Sequence, residues 1–222
     1  MTEPTLEDFI ERLRDPNPDV RLFAAWTLGR YRDPRMIEPL IEALADEDAA
    51  VRVRVAESLG NIRDPRSVEA LLNALSDDDP KVRDQVVASL GRQRDPVTVY
   101  AISICLQDES ASVRVAAAEA LGQLLDMRAV ESLVATLFDD EDTDVRYYAA
   151  RSLGLLGGAA TVDGLLQGLV GEPTTSAKIH SAEILCTLHD KRAVEALRKL
   201  VDDADETVSK TAKWALQRLG VE

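Results

Sequence analysis

Aromatic side chains make up only 4% of this 222-residue chain, which also carries just two cysteines and two histidines. With hydrophobic residues at 45%, a sizeable core is affordable only from Ala, Leu, Val and Ile, the filling of closely packed helices. No apolar run approaches the roughly 20 residues of a membrane span. The opening "MTEPTLEDFIERLRD" is acidic and polar, unlike a secretory or transit segment. Cys105 and Cys186 lie in apolar stretches about eighty residues apart and read as buried free thiols rather than a disulfide or metal ligands. A cytoplasmic protein is expected. Positive charge is scarce as well: 26 Lys and Arg against 40 Asp and Glu leave a net charge of −14. That balance argues against nucleic acid or an anionic membrane as the principal partner.

What the chain has in quantity is itself. The stretch "RDPRMIEPLIEALADEDAAVR" at 32–52 returns in near-copies. Aligned on Val20, Val51, Val82, Val113, Val145, Ala177 and Val208, the copies are separated by 31, 31, 31, 32, 32 and 31 residues. Small or apolar residues follow each anchor at four, five and eight positions, as in Val20, Ala24, Ala25 and Leu28, which is a helical face. Three positions before the anchors stand Asn17, Asp48, Asp79, Ser110, Asp142, Thr174 and Asp205, all able to accept hydrogen bonds from the free amides of a helix N-terminus. The acids of "DED", "DDD" and "DDED" then sit where the helix dipole favours them.

Each such helix, A, ends at Leu-Gly before "GRYRDPR", "GNIRDPR", "GRQRDPV" or "GQLLDMR". Asp33, Asp64 and Asp95 then cap a second helix, B, with Pro34, Pro65 and Pro96 at its first position. The Asp-Pro-Arg element is therefore a bracket that ends one helix and starts the next, not a chemical site used several times. A unit of 31–32 residues cannot bury its faces alone, so neighbours must stack. The expected architecture is all-α: one continuous solenoid over residues 1–222, a superhelix of about six and a half repeats and fourteen helices. A half repeat occupies 1–16, full repeats start near 17, 48, 79, 110, 142 and 174, and a terminal half repeat occupies 205–222.

The pattern D-x-x-V-R-x-x-A-A-x-x-L-G-x-x-x-D-P-R resembles the HEAT-like repeats of the phycobilisome (bilin) lyase type over essentially the whole chain. The resemblance implies a hydrogen-bonded ladder between the bracket aspartates Asp33, Asp64, Asp95 and Asp126 and the arginines Arg21, Arg52, Arg83, Arg114 and Arg146. It also implies, as an alternative function, a subunit of a bilin or phycobiliprotein lyase complex. Repeat five departs with Gly157-Gly158 at the bracket, and repeat six with Ala177-Lys178 for Val-Arg and Cys186 for Gly.

Catalytic constellations are hard to assemble from this chain. The histidines are confined to His180 on an A helix and His189 in the next turn, so no metal centre of His–Glu pairs and no nucleophile–His site on the B helices is expected. "DDEDTD" at 139–144 lacks the Gly and distal Glu of an EF-hand loop. No catalytic residue, metal or cofactor is assigned, and a non-enzymatic scaffold is the leading reading.

Five residues after each bracket position the B helices carry Glu7, Glu38, Glu69, Tyr100, Glu131, Asp163 and Glu195. This acidic concave surface, broken by one aromatic, would suit a protein or peptide with basic groups. The alternative is structural: Arg35–Glu38, Arg66–Glu69, Arg128–Glu131 and Arg192–Glu195 are spaced to pair within a helix, and where Arg gives way to Val97, Glu gives way to Tyr100. Tyr100, Ile104, Ala135 and Phe138 are expected to form an apolar patch flanked by Glu69, Glu131 and Asp163, or else Tyr100 and Phe138 fill gaps between helices. Trp26 and Trp214 share one position in the first and last A helices, either covered by the termini or marking self-association.

Overall fold

The computed structural model describes residues 4–31, 33–171 and 173–221, among which are fourteen α-helices and no strand. The A helices are α2 (Pro18–Leu28), α4 (Ala49–Gly60), α6 (Pro80–Gln93), α8 (Ala111–Leu124), α10 (Thr143–Leu156), α12 (Thr175–Thr187) and α14 (Glu206–Arg218). The B helices are α1 (Leu6–Arg12), α3 (Ile37–Ala43), α5 (Pro65–Asn73), α7 (Val99–Cys105), α9 (Val130–Asp139), α11 (Gly158–Gly168) and α13 (Ala193–Leu200). Caps set these boundaries. The side chains of Asn17, Asp48, Asp79, Asp142, Thr174 and Asp205 accept amide hydrogen bonds at the starts of six A helices. Asp33, Asp64, Asp95 and Asp126 do the same for the amides two residues on, with a 3₁₀ turn leading into α3, α7 and α9. The fold is an all-α solenoid of two-helix repeats.

The chain forms two compact units, residues 1–120 and 121–222. In the first, α2 packs on α4 and α4 on α6, while α3 packs on α5, and α1, α3 and α5 each lie against an A helix. In the second, α10, α12 and α14 make one layer and α9, α11 and α13 the other. The periodic apolar positions are the ones removed from water: Leu28, Leu59, Leu90, Leu40, Leu71 and Ile102 in the first unit, Leu133, Leu153, Leu165 and Leu185 in the second. Cys105 and Cys186 are buried free thiols, and burial raises both above the usual thiol range.

The Leu-Gly element has a role the sequence did not disclose. Gly29 is helical, with φ −61°, so it is not needed for a left-handed turn. It is needed for close approach: a Cβ there would stand 2.7 Å from Ser58 Cβ, and one on Gly60 would stand 2.6 Å from Ser89 Cβ. The Ser58 hydroxyl in turn donates to the Ala25 carbonyl at 2.8 Å. Where Ile184 replaces the serine, the contact opens, and a Cβ on Gly154 would meet nothing within 4 Å.

A ladder of arginines and aspartates runs along the solenoid edge, but not between the residues the resemblance implied. Arg21 forks onto Asp46 (Nε 2.7 Å, Nη2 2.8 Å), Arg52 onto Asp77 (2.7 and 2.8 Å) and Arg83 onto Asp108 (2.8 and 2.9 Å). The third nitrogen of each donates to the carbonyl of Asp15, Asp46 or Asp77, the residue holding the corresponding place one repeat earlier. The same carboxylates accept the amides of Asp48, Asp79 and Ser110. Both Arg114 and Arg146 reach back likewise to the carbonyls of Asp108 and Asp140. In the second unit Lys178 takes the arginine's place, 2.7 Å from Asp203. The acid facing Arg146 in this register would be Glu172, which lies outside the described residues. The bracket aspartates are two residues from their own arginines, so Asp33, Asp64 and Asp126 are held by Arg35, Arg66 and Arg128 and never reach the Val-Arg guanidiniums. Asp95, which has no such arginine, bonds only the Val97 amide through its side chain.

Both partners in the Arg52–Asp77 rung are largely buried. Burial pushes the Asp77 carboxyl up, and the bonds from Arg52 and the Asp79 amide, with the charges of Arg52 and Arg83, more than offset it, leaving it below its usual value. A carboxyl lowered on folding stabilises the fold above its unfolded value of ~3.9 and stops doing so as pH falls through the folded value. Asp77→Asn, leaving Arg52 buried without its carboxylate, should cost on the order of 3 kcal/mol in urea unfolding and flatten the loss of stability below about pH 4. Arg66→Ala, on an exposed pair, should cost less than ~1 kcal/mol, and equal costs would refute the ladder's role. In the same assay Gly60→Ala should destabilise by on the order of 1–3 kcal/mol, and Gly154→Ala should stabilise by up to ~1 kcal/mol. Alike effects at both glycines would show that close approach is not what Gly60 serves.

Candidate interaction surface

Each B helix turns the residues two, five and nine places after its bracket position to solvent. These are Arg35, Glu38 and Glu42; Arg66, Glu69 and Asn73; Val97, Tyr100 and Ile104; Arg128, Glu131 and Ala135; Ala160, Asp163 and Gln167; Arg192, Glu195 and Lys199. Five of the six triplets are polar or small. The third is apolar throughout, with Val97 63%, Tyr100 63% and Ile104 74% exposed.

The expected Arg–Glu pairs within one helix are not the ones that form. Arg35 reaches back to Glu7 at 2.6 Å, Arg66 to Glu38 at 2.9 Å and Arg192 to Asp163 at 2.5 Å, each from one repeat to the one before. The reason is geometric. The bracket aspartate grips the same guanidinium from two residues away, which directs its free edge to the preceding helix. These aspartates are lowered from the usual carboxylate range chiefly by that side-chain bond, Asp126 to about 2. Glu195 alone keeps a same-helix partner, Arg198 at 2.9 Å.

This pairing divides the acidic series. Glu38 and Asp163 are met by arginines of the following repeat and Glu195 by Arg198. Glu69 is not, because its partner position holds Val97, and Glu131 is not, because its partner position holds Ala160. Among the described residues no hydrogen bond or ion pair reaches either carboxylate. Within the first unit, then, Glu69, one repeat before the exposed stripe of α7, stands without a guanidinium.

Phe138 does not belong to an open patch. It is half-buried in the second unit, and its ring lies so close over Gly168 that a Cβ there would be 2.6 Å from Cδ2. Phe138 is a packing residue, and the glycine beneath it is the signal that reading side chains along one helix passed over. Trp26 and Trp214 are 41% and 43% exposed, so the described termini do not cover them, and Arg30 and Arg218 lie over their rings. His180 faces Glu183 at 3.3 Å and the Tyr147 ring, and His189 meets the Thr187 carbonyl. Among the described residues no group of three His, Cys, Asp or Glu is placed to hold a metal ion, and no helix is long and apolar enough to cross a membrane.

Capped helix pairs, a repeat-to-repeat ladder and glycine-mediated packing define the class: an all-α solenoid of HEAT-like repeats. The chain belongs to the HEAT-repeat family, whose model matches residues 6–91, 37–110, 68–154, 100–173 and 162–222. No curated protein sequence matches it. Among solved structures it resembles the complex of CpcE and CpcF of phycocyanin lyase from Nostoc at 21% identity and TM-score 0.61, covering 99% of this chain and 96% of that one. The Escherichia coli protein YibA is similar at 19% identity and TM-score 0.61, over 99% and 93%. Human deoxyhypusine hydroxylase is similar at 20% and 0.51, over 97% and 96%. At such identities the likeness is one of fold, and two of these neighbours have enzymatic names.

Phe138 is half-buried and Ile104 is exposed, so the two should differ in what they contribute to stability. Phe138→Ala should destabilise by on the order of 1–3 kcal/mol, whereas Ile104→Ala should change stability by less than about 0.5 kcal/mol. Denaturant midpoints decide between them, and a neutral Phe138→Ala would return that ring to the surface.

Proposed function

We propose that this protein is a non-enzymatic interaction scaffold that holds a segment of a protein partner, apolar with basic groups, on the outward stripe of its B helices. Val97, Tyr100 and Ile104 are its anchor. The observation that carries this is the apolar triplet of α7, set in positions that are polar or small in every other described repeat. Val97, Tyr100 and Ile104 leave more than half of their surface in water, and an aromatic among acids is how interfaces concentrate binding energy. The chain's net charge of −14 draws cationic partners and repels phosphate backbones. Within the first unit Glu7 and Glu38 already hold cations, so the attraction falls to Glu69.

The likeness to the phycocyanin lyase complex favours a second reading, a bilin lyase subunit. Bilin propionates call for cations. The grooves between successive brackets offer Arg63 and Arg94, but line them with Asp33, Asp64 and Asp95, so the interaction reading ranks first.

A photocrosslinking residue at the exposed position of Gln107, one turn beyond Ile104, should capture a discrete partner. Tyr100→Ala should reduce that capture about tenfold or more while the thermal midpoint holds. Capture unchanged by Tyr100→Ala would reject the anchor.

A further inference from the structure

Two carboxylates in the first unit occupy the repeat positions that elsewhere hold a guanidinium, and hold none. In repeat one Arg35 is gripped by Asp33 and Glu7, and in repeat two Arg66 is gripped by Asp64 and Glu38. Advancing each of these positions by one 31-residue repeat gives Val97, Asp95 and Glu69. The side chain of Asp95 accepts only the Val97 amide, and no hydrogen bond or ion pair among the described residues reaches that of Glu69. The backbone at this turn is preserved: Asp95 caps the same 3₁₀ turn, with φ −86° and ψ 118° against −102° and 122° at Asp33. What has changed is the removal of one guanidinium and the exposure of Val97 in its place.

We infer that an arginine of the partner segment fills this slot in trans, its guanidinium bridging Asp95 and Glu69 over Val97, with apolar residues of the same segment on Tyr100 and Ile104. This rests on the interaction reading above and specifies the partner's chemistry. Arginine is selected over lysine because the equivalent slots use the planar fork, several nitrogens on the bracket aspartate and Nη1 on the glutamate of the preceding repeat, which an ammonium cannot match. The repeats themselves supply the argument for this group, since the equivalent pairs of carboxylates, Asp33 with Glu7 and Asp64 with Glu38, hold a guanidinium twice in the same unit. From Val97 to Ile104 the surface runs about two helical turns, roughly 10 Å, so one arginine and apolar residues three and four places away would cover it.

Two measurements test the inference. Val97→Arg should restore the missing pair in cis and raise the thermal midpoint by about 1–3 °C, and Glu69→Gln with Asp95→Asn should cancel the rise. No rise, or a rise insensitive to those acids, would overturn the slot geometry. The binding probe is an alanine-based peptide of about twelve residues carrying one arginine and leucines three and four places on, titrated against isotope-labelled protein. A second peptide carries citrulline, the uncharged isostere, in place of arginine. The arginine peptide should shift the signals of Glu69, Asp95 and Tyr100 and bind about tenfold more tightly than the citrulline peptide, a preference lost in Val97→Arg. Equal binding of both peptides on the α7 stripe would overturn the arginine slot and leave the apolar anchor standing. Binding of neither would overturn both.

Discussion

The rest of the molecule depends on one constraint, the fork of Arg21, Arg52 and Arg83 on the aspartate of the following turn. A guanidinium buried between repeats must have every edge satisfied, because a lone buried charge is expensive. Here two nitrogens take both oxygens of one carboxylate and the third takes a carbonyl belonging to the corresponding residue one repeat back. The carboxylate is completed by the amide two residues on. Each rung thus fixes the turn that starts the next A helix and the distance between repeats together, and the serine-on-glycine contact sets how closely the A helices lie. Structural need is concentrated at the edge and within the layers, which leaves the outward face of the B helices under weaker demands.

How far this was legible in the sequence differs by feature, for physical reasons. Helices, caps and brackets were readable because they are local: a side chain and the amide it caps are two or three residues apart. Position along the helix period likewise put Ala24, Ala25 and Leu28 on one face, which is buried, and Glu38, Glu69 and Tyr100 on the surface. Interactions across about 25–30 residues were not readable in the same way. The acid two places before each cap, at Asp46, Asp77 and Asp108, recurs as regularly as the cap itself, yet next to a helix start it has a sufficient local explanation in the dipole. Its function as the receiver of the previous repeat's arginine requires knowing which edges of adjacent repeats face one another. The same limit offered Glu69 rather than Glu38 as the partner of Arg66, and left Phe138 open between a surface patch and a gap between helices although Gly168 lies beneath its ring.

That reassignment of pairs bears on what the third repeat is for. Were Arg and Glu partners within a helix, exchange of both at 97 and 100 would be a single structural substitution, with a charged pair replaced by an apolar one and nothing left over. Since the arginine instead serves the preceding repeat, Val97 withdraws its partner from Glu69 and from its own bracket aspartate, and both acids remain in the sequence. A purely structural account predicts that a stranded Glu69 would be neutral or apolar, because stacked repeats without a cation gain nothing from a carboxylate there. The carboxylate persists in the repeat before three exposed apolar side chains, a combination that the proposed cationic and apolar segment would make favourable. On the proposed reading, departure from the repeat rather than the repeat is where this solenoid meets a partner: the recurring residues hold each helix to the next, and the position that breaks their pairing leaves Glu69 and Asp95 without the guanidinium that the equivalent acids hold.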